Sequence, residues 1–412
     1  MRIEDLRSEE VNNRTRVIAK VSWEDCDRQS QEFYFEVDEE FAQELSCNPH
    51  SFLIVCAVAA MHHGEKRVFI DEPICPDLKD GLSTALRWIH RWYQWYKPEQ
   101  PPLGIEAKAS TDGFSSNRPE RAGFFFSGGI DSLACLRANR LNYPQEHPGY
   151  FKDGILVYGL EIDQPGAFEL VMASQNELAR KAGITLIPVY TNIRYLDADW
   201  TFWENEFEGA VFASIAHALD KRLSLVSLAS THDIDYSHPH GSHPLLDPNY
   251  SSHSLRIRHD CITLSRLERT KLLVDWDAAL QHLRICNKIE NYQPDVLNCG
   301  KCEKCIRTML ALLALGALER TRCFPANDVS EELIRSMDEL TDTSYPFYPE
   351  LIAPLAEKGR HDLTRAIERK IAFYHMPIWR REWKKRPLWP IIELDRRYFK
   401  GSLRKVKRAI YP

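Results

Sequence analysis

Between Arg121 and Ala229 the chain alternates short unbroken apolar runs with helical stretches, and that rhythm admits few folds. Gly123–Phe126, Ile155–Leu160 and Thr185–Tyr190 are the runs, with helical periodicity over Ser132–Leu141 and Glu169–Ala182 between them. A further helix, about Ala210–Asp220, leads into a fourth run, Leu223–Ala229. Strands that are apolar on both faces must be covered on both, which predicts an α/β fold with a doubly wound parallel sheet. Ligands of such sheets bind outside the carboxyl ends of the strands.

The flanks read differently. Residues 1–118 look like an N-terminal α+β accessory domain, with strands at Val17–Trp23 and Gln31–Val37. A helix beginning near Ser83 puts Trp88, Trp92, Trp95 and Tyr96 on one face, a core-packed surface or a stacking platform for bases. Pro101-Pro102 and Ser115–Pro119 read as a linker into the central domain, residues 119–325. Residues 326–412 form a helical, basic extension, with helices expected at Glu331–Leu340 and Asp362–Tyr374 and prolines 346, 349 and 354 interrupting the path. The net charge of −6 conceals fourteen Lys and Arg against three acidic residues in 369–412. Trp379, Trp383, Trp389 and Tyr398 are interleaved with those bases, a composition suited to RNA, to an acidic protein partner, or to the chain's own acidic body. The longest apolar stretch, Phe52–Met61, is too short to span a bilayer, and the charged start has no signal-like core, so the chain reads as cytoplasmic.

Ser127-Gly128-Gly129-Ile130-Asp131-Ser132 lies between the first apolar run and the first helix. Two glycines let the backbone bend and approach an anion, the new helix's amides point at it, and the serine hydroxyls add donors. Asp131 orients the loop or binds Mg²⁺; the plain alternative is a capped turn. Downstream, Cys299-Gly300-Lys301-Cys302-Glu303-Lys304-Cys305 with Cys286 supplies four of the eleven cysteines. Two Cys-x-x-Cys steps and one earlier thiol suit a closed tetrahedral Zn²⁺, one structural ion, with an iron–sulfur cluster as the other occupant.

The loop resembles the SGGxDS signature of the PP-loop ATP pyrophosphatases, the adenine nucleotide alpha hydrolase-like fold. That resemblance implies bound ATP, attack on its α-phosphorus and release of pyrophosphate. Loop and knuckle together are similar to the 7-cyano-7-deazaguanine synthases of queuosine synthesis, whose Cys-Gly-x-Cys-x-x-Cys is followed by Arg, as Cys305-Ile306-Arg307 is here. Thr191-Asn192 resembles their Thr-x-Asn, and Leu264–Glu268, with Arg266, their Leu-Ser/Thr-Lys-x-Glu. The likeness covers about 119–315. It implies an ATP-dependent ligase that activates a small-molecule carboxylate, of deazapurine type, as an acyl-adenylate and passes it to ammonia or to a protein or peptide amine. Ser127 and Asp131 would be catalytic, with Gly128, Gly129 and Ser132 on the phosphates. Enlarged relatives occur in antiphage defence operons and look suited to modifying a protein.

Departures keep other readings open. The Tyr-Pro-Asp-Cys-Arg segment is replaced by Ser230–His240, and Cys286 lies further from Cys299 than usual. This region belongs to a histidine-rich stretch, His232 to His259, in which Asp233 and Asp235 could meet a base edge or Mg²⁺, or the imidazoles hold a second metal. Cys261 is a possible thiolation nucleophile, although Cys135 and Cys261 form no evident pair in sequence. A PP-loop tRNA sulfurtransferase and a non-catalytic ATP-binding subunit are the alternatives.

Overall fold

The computed structural model describes residues 1–93, 102–110, 120–294 and 296–377. Trp95, Tyr96, most of the linker and the basic segment from 378 onward lie outside these. The chain divides into a first unit, Met1–Asp328, and a second beginning at Val329, close to the break read at 326.

One ten-stranded sheet carries the first unit. Its strands are β1 (Arg2–Val11), β2 (Arg14–Ser22), β3 (Gln31–Asp38), β4 (Arg67–Ile74), β5 (Gly104–Ala109), β6 (Ala122–Phe125), β7 (Phe151–Tyr158), β8 (Thr185–Thr191), β9 (Leu225–Ala229) and β10 (Arg256–Asp260). Their spatial order is β10-β9-β6-β7-β8-β3-β2-β1-β4-β5. From β10 to β8 every pairing is parallel. The chain moves outward from β6 through β7 to β8, then returns to lay β9 and β10 on the other side of β6. That reversal is a topological switch point between β6 and β9, where open parallel sheets form their crevice.

The front of the chain shares this sheet. β3 pairs antiparallel with β8, Phe35 facing Thr191 and Val37 facing Val189, so the break read at 118 falls between β5 and β6 of one continuous layer. An uncovered β8 would present a row of unpaired backbone groups, and β3 removes that edge. The buried core likewise runs from Ile3 and Phe35 through Ile187 to Ala216. β1 escapes sequence reading because charged residues dominate it and its pattern is mostly half-exposed.

Helix α1 (Pro49–His62) explains the apolar stretch: every residue from His50 to Met61 is buried. A helix that is apolar all round must be enclosed. Asn48 caps it, its side chain accepting from the His50 amide at 2.9 Å. α2 (Pro76–Trp92) starts about two turns before Ser83 and buries Leu78, Leu82, Ala85, Leu86 and Ile89. Trp88 stays 37% exposed, so aliphatic side chains, more than the tryptophans, form the packed face.

Four helices frame the switch point: α3 (Ile130–Asn142) after β6, α4 (Pro165–Ala182) after β7, and α5 (Trp200–Phe202) continuing through a π-helical segment, Trp203–Phe207, into α6 (Glu208–Ala218) after β8. After β10 come α7 (Arg266–Val274), the short α8 (Asp277–Leu280) and α9 (Glu303–Ala314). The second unit contains α10 (Glu331–Ser336), α11 (Pro349–Glu357) and α12 (His361–Tyr374). α11 overturns the reading of its prolines as interruptions. Pro349 occupies the first turn, where no amide is needed, and Pro354 is accommodated inside the helix. No described helix is long and apolar enough to cross a membrane.

Candidate functional site

The Ser127–Ser132 loop leaves β6 at the switch point and opens α3. Gly128 has φ +76°, the left-handed region that glycine adopts without strain. The serines brace the turn: Ser127 Oγ lies 3.1 Å from Ser132 Oγ, the Gly129 amide donates to Ser127 Oγ at 3.3 Å, and Ser132 Oγ donates to the Gly129 carbonyl at 3.1 Å. From outside, the Arg284 amide donates to the Gly128 carbonyl at 2.9 Å, and its guanidinium reaches the Ser127 carbonyl at 3.3 Å. A Cβ on Gly128 would stand 2.7 Å from the Gln175 amide group, whereas one on Gly129 would stand 3.3 Å from Ser127 Oγ and 3.7 Å from the Arg284 carbonyl oxygen. Sequence reading expects a phosphate to be the obstacle at both positions. At Gly128 the obstacle is the protein itself.

Asp131, partly exposed to the cavity, is held by a pair of arginines. One carboxylate oxygen accepts from Arg266, the other from Arg269 at 2.9 Å. Burial opposes the charge, yet Arg266 and Arg269 hold the carboxyl below its ordinary value. This arrangement favours the loop-orienting role over metal binding. Arg266 is reached because Ser265 caps α7 in a capping box with Glu268, presenting Arg266 and Arg269 three residues apart on one face. Arg269 is fully buried and also donates to the carbonyls of Thr231 and His232, after β9, and of Cys261, after β10. It therefore ties the Ser127–Ser132 loop to both strands across the switch point. Its spacing from Arg266 was a usable sequence signal.

A cavity of about 270 Å³ opens over the carboxyl ends of β6, β7 and β9, near the lower bound of roughly 300 Å³ for small-molecule sites. Ser127, Gly129, Asp131 and Ser132 line it with Arg266. Arg284, Lys304 and Arg307 add further positive charge, and Phe125, Trp203 and Phe212 an aromatic wall. Two carboxylates, Glu161 and Glu208, also face it.

The four cysteines converge beside this cavity, one sulfur from each lying within 4.8 Å of the others. Cys286 Sγ is 3.8 Å from Cys302 Sγ, and Cys299 Sγ is 3.9 Å from Cys305 Sγ. Four thiolates about 2.3 Å from a tetrahedral zinc stand about 3.8 Å apart, so the cluster can hold one zinc-like ion with little adjustment. Backbone amides of Lys288, Lys301 and Cys302 point at the sulfurs from 3.3–3.4 Å. Gly300 makes the knuckle turn at φ +67°, with Pro325 leaving no room for a Cβ. Asn298, which sequence reading missed, brackets the site: its side chain accepts from the Ile285 and Cys286 amides and donates to the Leu283 and Cys323 carbonyls. Cys302 caps α9, so the knuckle sets the helix that carries Lys304 and Arg307, while Cys286 follows Arg284 by two residues. The cluster thus organises one wall of the cavity.

Other expected site residues lie elsewhere. Thr191 Oγ1 donates to the Tyr34 carbonyl at 2.6 Å, and Asn192 accepts from the Tyr34 amide and donates to the Glu32 carbonyl. Both bind β3 to β8 and do not line the cavity. Asp233 caps a single 3₁₀ turn, Ile234–Tyr236, and neither it nor Asp235 lines the cavity. The histidine-rich stretch contains no metal-ligand cluster among the described residues. Asp247 is instead bound by Ser242 and His259, each at 2.7 Å. His62, His63 and Asp197 also cluster, but Arg28 already supplies positive charge there, 3.1 Å from His63 and 3.3 Å from Asp197. Cys135 and Cys261, which form no evident pair in sequence, lie near enough for their thiols to interact, with Cys261 at φ +64°. Contact with Cys135 lowers the Cys261 thiol against the pull of burial.

No family model, curated protein or solved structure matches the chain.

Proposed function

We propose that the chain is an ATP-dependent adenylating ligase of the PP-loop type, resembling 7-cyano-7-deazaguanine synthase. The observation that carries this reading is the placement of the Ser127–Ser132 loop: it opens α3 at the switch point, over a cavity walled by arginine and lysine. Backbone amides and the hydroxyls of Ser127 and Ser132 would receive the β- and γ-phosphates, close to Gly128 and Gly129. Asp131 holds the loop's first helical turn through Arg266 and Arg269. Arg284, Lys304 and Arg307 offset charge that grows on the phosphate oxygens as the substrate carboxylate attacks the α-phosphorus and pyrophosphate leaves. Mg²⁺ would enter with the nucleotide and supply Lewis-acid stabilisation of the same charge. The planar deazapurine acid suits the aromatic wall of Phe125, Trp203 and Phe212. Ammonia or a protein amine then displaces AMP.

Zinc is the ion best matched to the four thiolates, and a complete sulfur shell leaves it structural. The test of the whole reading is product analysis with α-labelled ATP, Mg²⁺, a deazaguanine carboxylate and ammonium or a candidate protein acceptor. AMP and pyrophosphate are expected; ADP and phosphate would mean attack at the γ-phosphorus and would refute it. A PP-loop sulfurtransferase is the second reading, favoured by the contact between Cys135 and Cys261. Sulfur transfer to RNA, abolished by Cys261→Ser, would select it.

A further inference from the structure

The cavity contains two carboxylates that no step above employs. Glu161 follows β7 on one side; Glu208 opens α6 on the other. Their surroundings differ. Glu161 accepts from Asn287 Nδ2 at 3.1 Å and lies 3.6 Å from the Arg284 guanidinium. Burial raises its carboxyl, but Lys304 and Arg284 more than compensate and keep it ionised. Among the described residues no arginine or lysine forms an ion pair with Glu208; His240 Nδ1 lies 3.5 Å from its carboxylate. Burial first, then the charges of Glu161 and Asp247, with Glu204 adding to them and Lys304 opposing, push its carboxyl up to about 8.

The backbone is irregular where Glu208 joins the cavity wall. The Gly241 amide donates to the Glu204 carbonyl, and the Gly209 amide donates to the Gly241 carbonyl at 2.9 Å. A neighbouring loop has thereby entered the helical ladder, and the turn before Glu208 widens into the π-helical segment Trp203–Phe207. Single π turns inside helices mark functional positions often. A Cβ on Gly209 would stand 2.2 Å from Asp247 and 2.8 Å from the Gly241 carbonyl, so only glycine lets the loop lie this close to the helix.

We propose that Glu208 is the general base of the second half-reaction, taking the proton that the attacking amine loses, a role that rests on the ligase reading above. The amine nitrogen bonds to the acyl carbon, and the carbon–oxygen bond to AMP breaks with its electron pair leaving on the phosphate. The nitrogen's proton passes to the Glu208 carboxylate, so neutral amide, AMP and protonated Glu208 result. Glu161 stays ionised beside it and makes Glu208 a stronger base. Pairs of carboxyls whose environments drive them apart are how acid and base tasks are divided in other active sites.

The experiment is a two-step single turnover with the full chain. α-Labelled ATP, Mg²⁺ and a deazaguanine carboxylate are mixed without amine, pyrophosphate release is recorded, and ammonium is then added across a range of pH. For the unaltered enzyme, amide formation at a constant concentration of free ammonia should rise with pH and level off above about 8, where Glu208 is deprotonated. Glu208→Gln should slow amide formation on the order of 100-fold while leaving pyrophosphate release and the melting temperature unchanged. Glu208→Asp, which keeps the base, should retain part of the rate. Glu161→Gln removes the neighbouring negative charge and should move the rise to lower pH, a shift that titration of free ammonia cannot produce. Normal amide formation in Glu208→Gln, or an unmoved profile in Glu161→Gln, would overturn the role of Glu208 alone. Absence of pyrophosphate release from the unaltered enzyme would instead bring down the ligase reading, and this role with it.

Discussion

Replacing Gly128 with alanine tests whether the phosphate loop is held by the fold or shaped only for its ligand. The residue sits at φ +76°, and an added Cβ would meet the Gln175 amide at 2.7 Å. A left-handed conformation costs an L-residue roughly 1–2 kcal/mol. Forcing a methyl group into a packed site costs roughly 1–3 kcal/mol more. Gln175 cannot swing aside freely, since it is fully buried and donates to the His282 carbonyl at 2.9 Å. The expected loss is roughly 2–5 kcal/mol, a fall of about 4–10 °C in the melting temperature of a unit this large. Gln175→Ala alone should also destabilise, by removing that hydrogen bond and leaving a hole. In the double variant the methyl group occupies vacated space, so the two losses should fall short of additive by about 1–3 kcal/mol. Thermal and urea unfolding of the four proteins gives the cycle. Wild-type stability in Gly128→Ala, or strict additivity, would refute the packing reasoning.

At Gly129 an added Cβ stands 3.3 Å from Ser127 Oγ and 3.7 Å from the Arg284 carbonyl, without a backbone clash, so Gly129→Val should lose turnover with a melting temperature within a few degrees of the unaltered protein. Asp131→Asn leaves Arg266 and Arg269 buried without their carboxylate and should cost about 3–5 kcal/mol as well as turnover. Because the folded Asp131 carboxyl is held below its ordinary 3.8, its contribution is complete above that value and is lost as pH falls toward the folded one. Acid unfolding followed from pH 5 downward should show this component in the native protein and lack it in Asp131→Asn. Cys302→Ser should reduce bound zinc from about one per chain to none, by elemental analysis, and yield insoluble protein, since such sites supply on the order of 10 kcal/mol. Removal of residues 378–412 should weaken binding of RNA or an acidic partner in a salt-dependent way or lower the melting temperature; no change in either would dismiss the tail's basic character as functionally silent.

What could be read without coordinates is what depends on neighbours in sequence. A turn needing glycine at one position, a helix that must start after it, and three cysteines spaced to face one ion are local requirements, so Ser127–Ser132 and Cys299–Cys305 were legible as units. The four strands β6 to β9 were legible because burial on both faces leaves an unbroken apolar run. Residue chemistry alone could not place Thr191, Asn192, Asp233 and Asp235, since their hydroxyl, amide and carboxyl groups suit a ligand and a backbone equally well. Only the pairing of β3 with β8 decided that Thr191 and Asn192 serve the sheet. Arg269, Gln175, Asn298 and Glu208 gained their tasks from partners up to 138 positions away or from a loop wedged into a helix. Such contacts leave no periodic trace in the chain. The same holds for the switch point itself: strand order is a property of how the chain returns across its own sheet, and it is that return which gathers the loop, the arginines and the cysteine knuckle around one cavity.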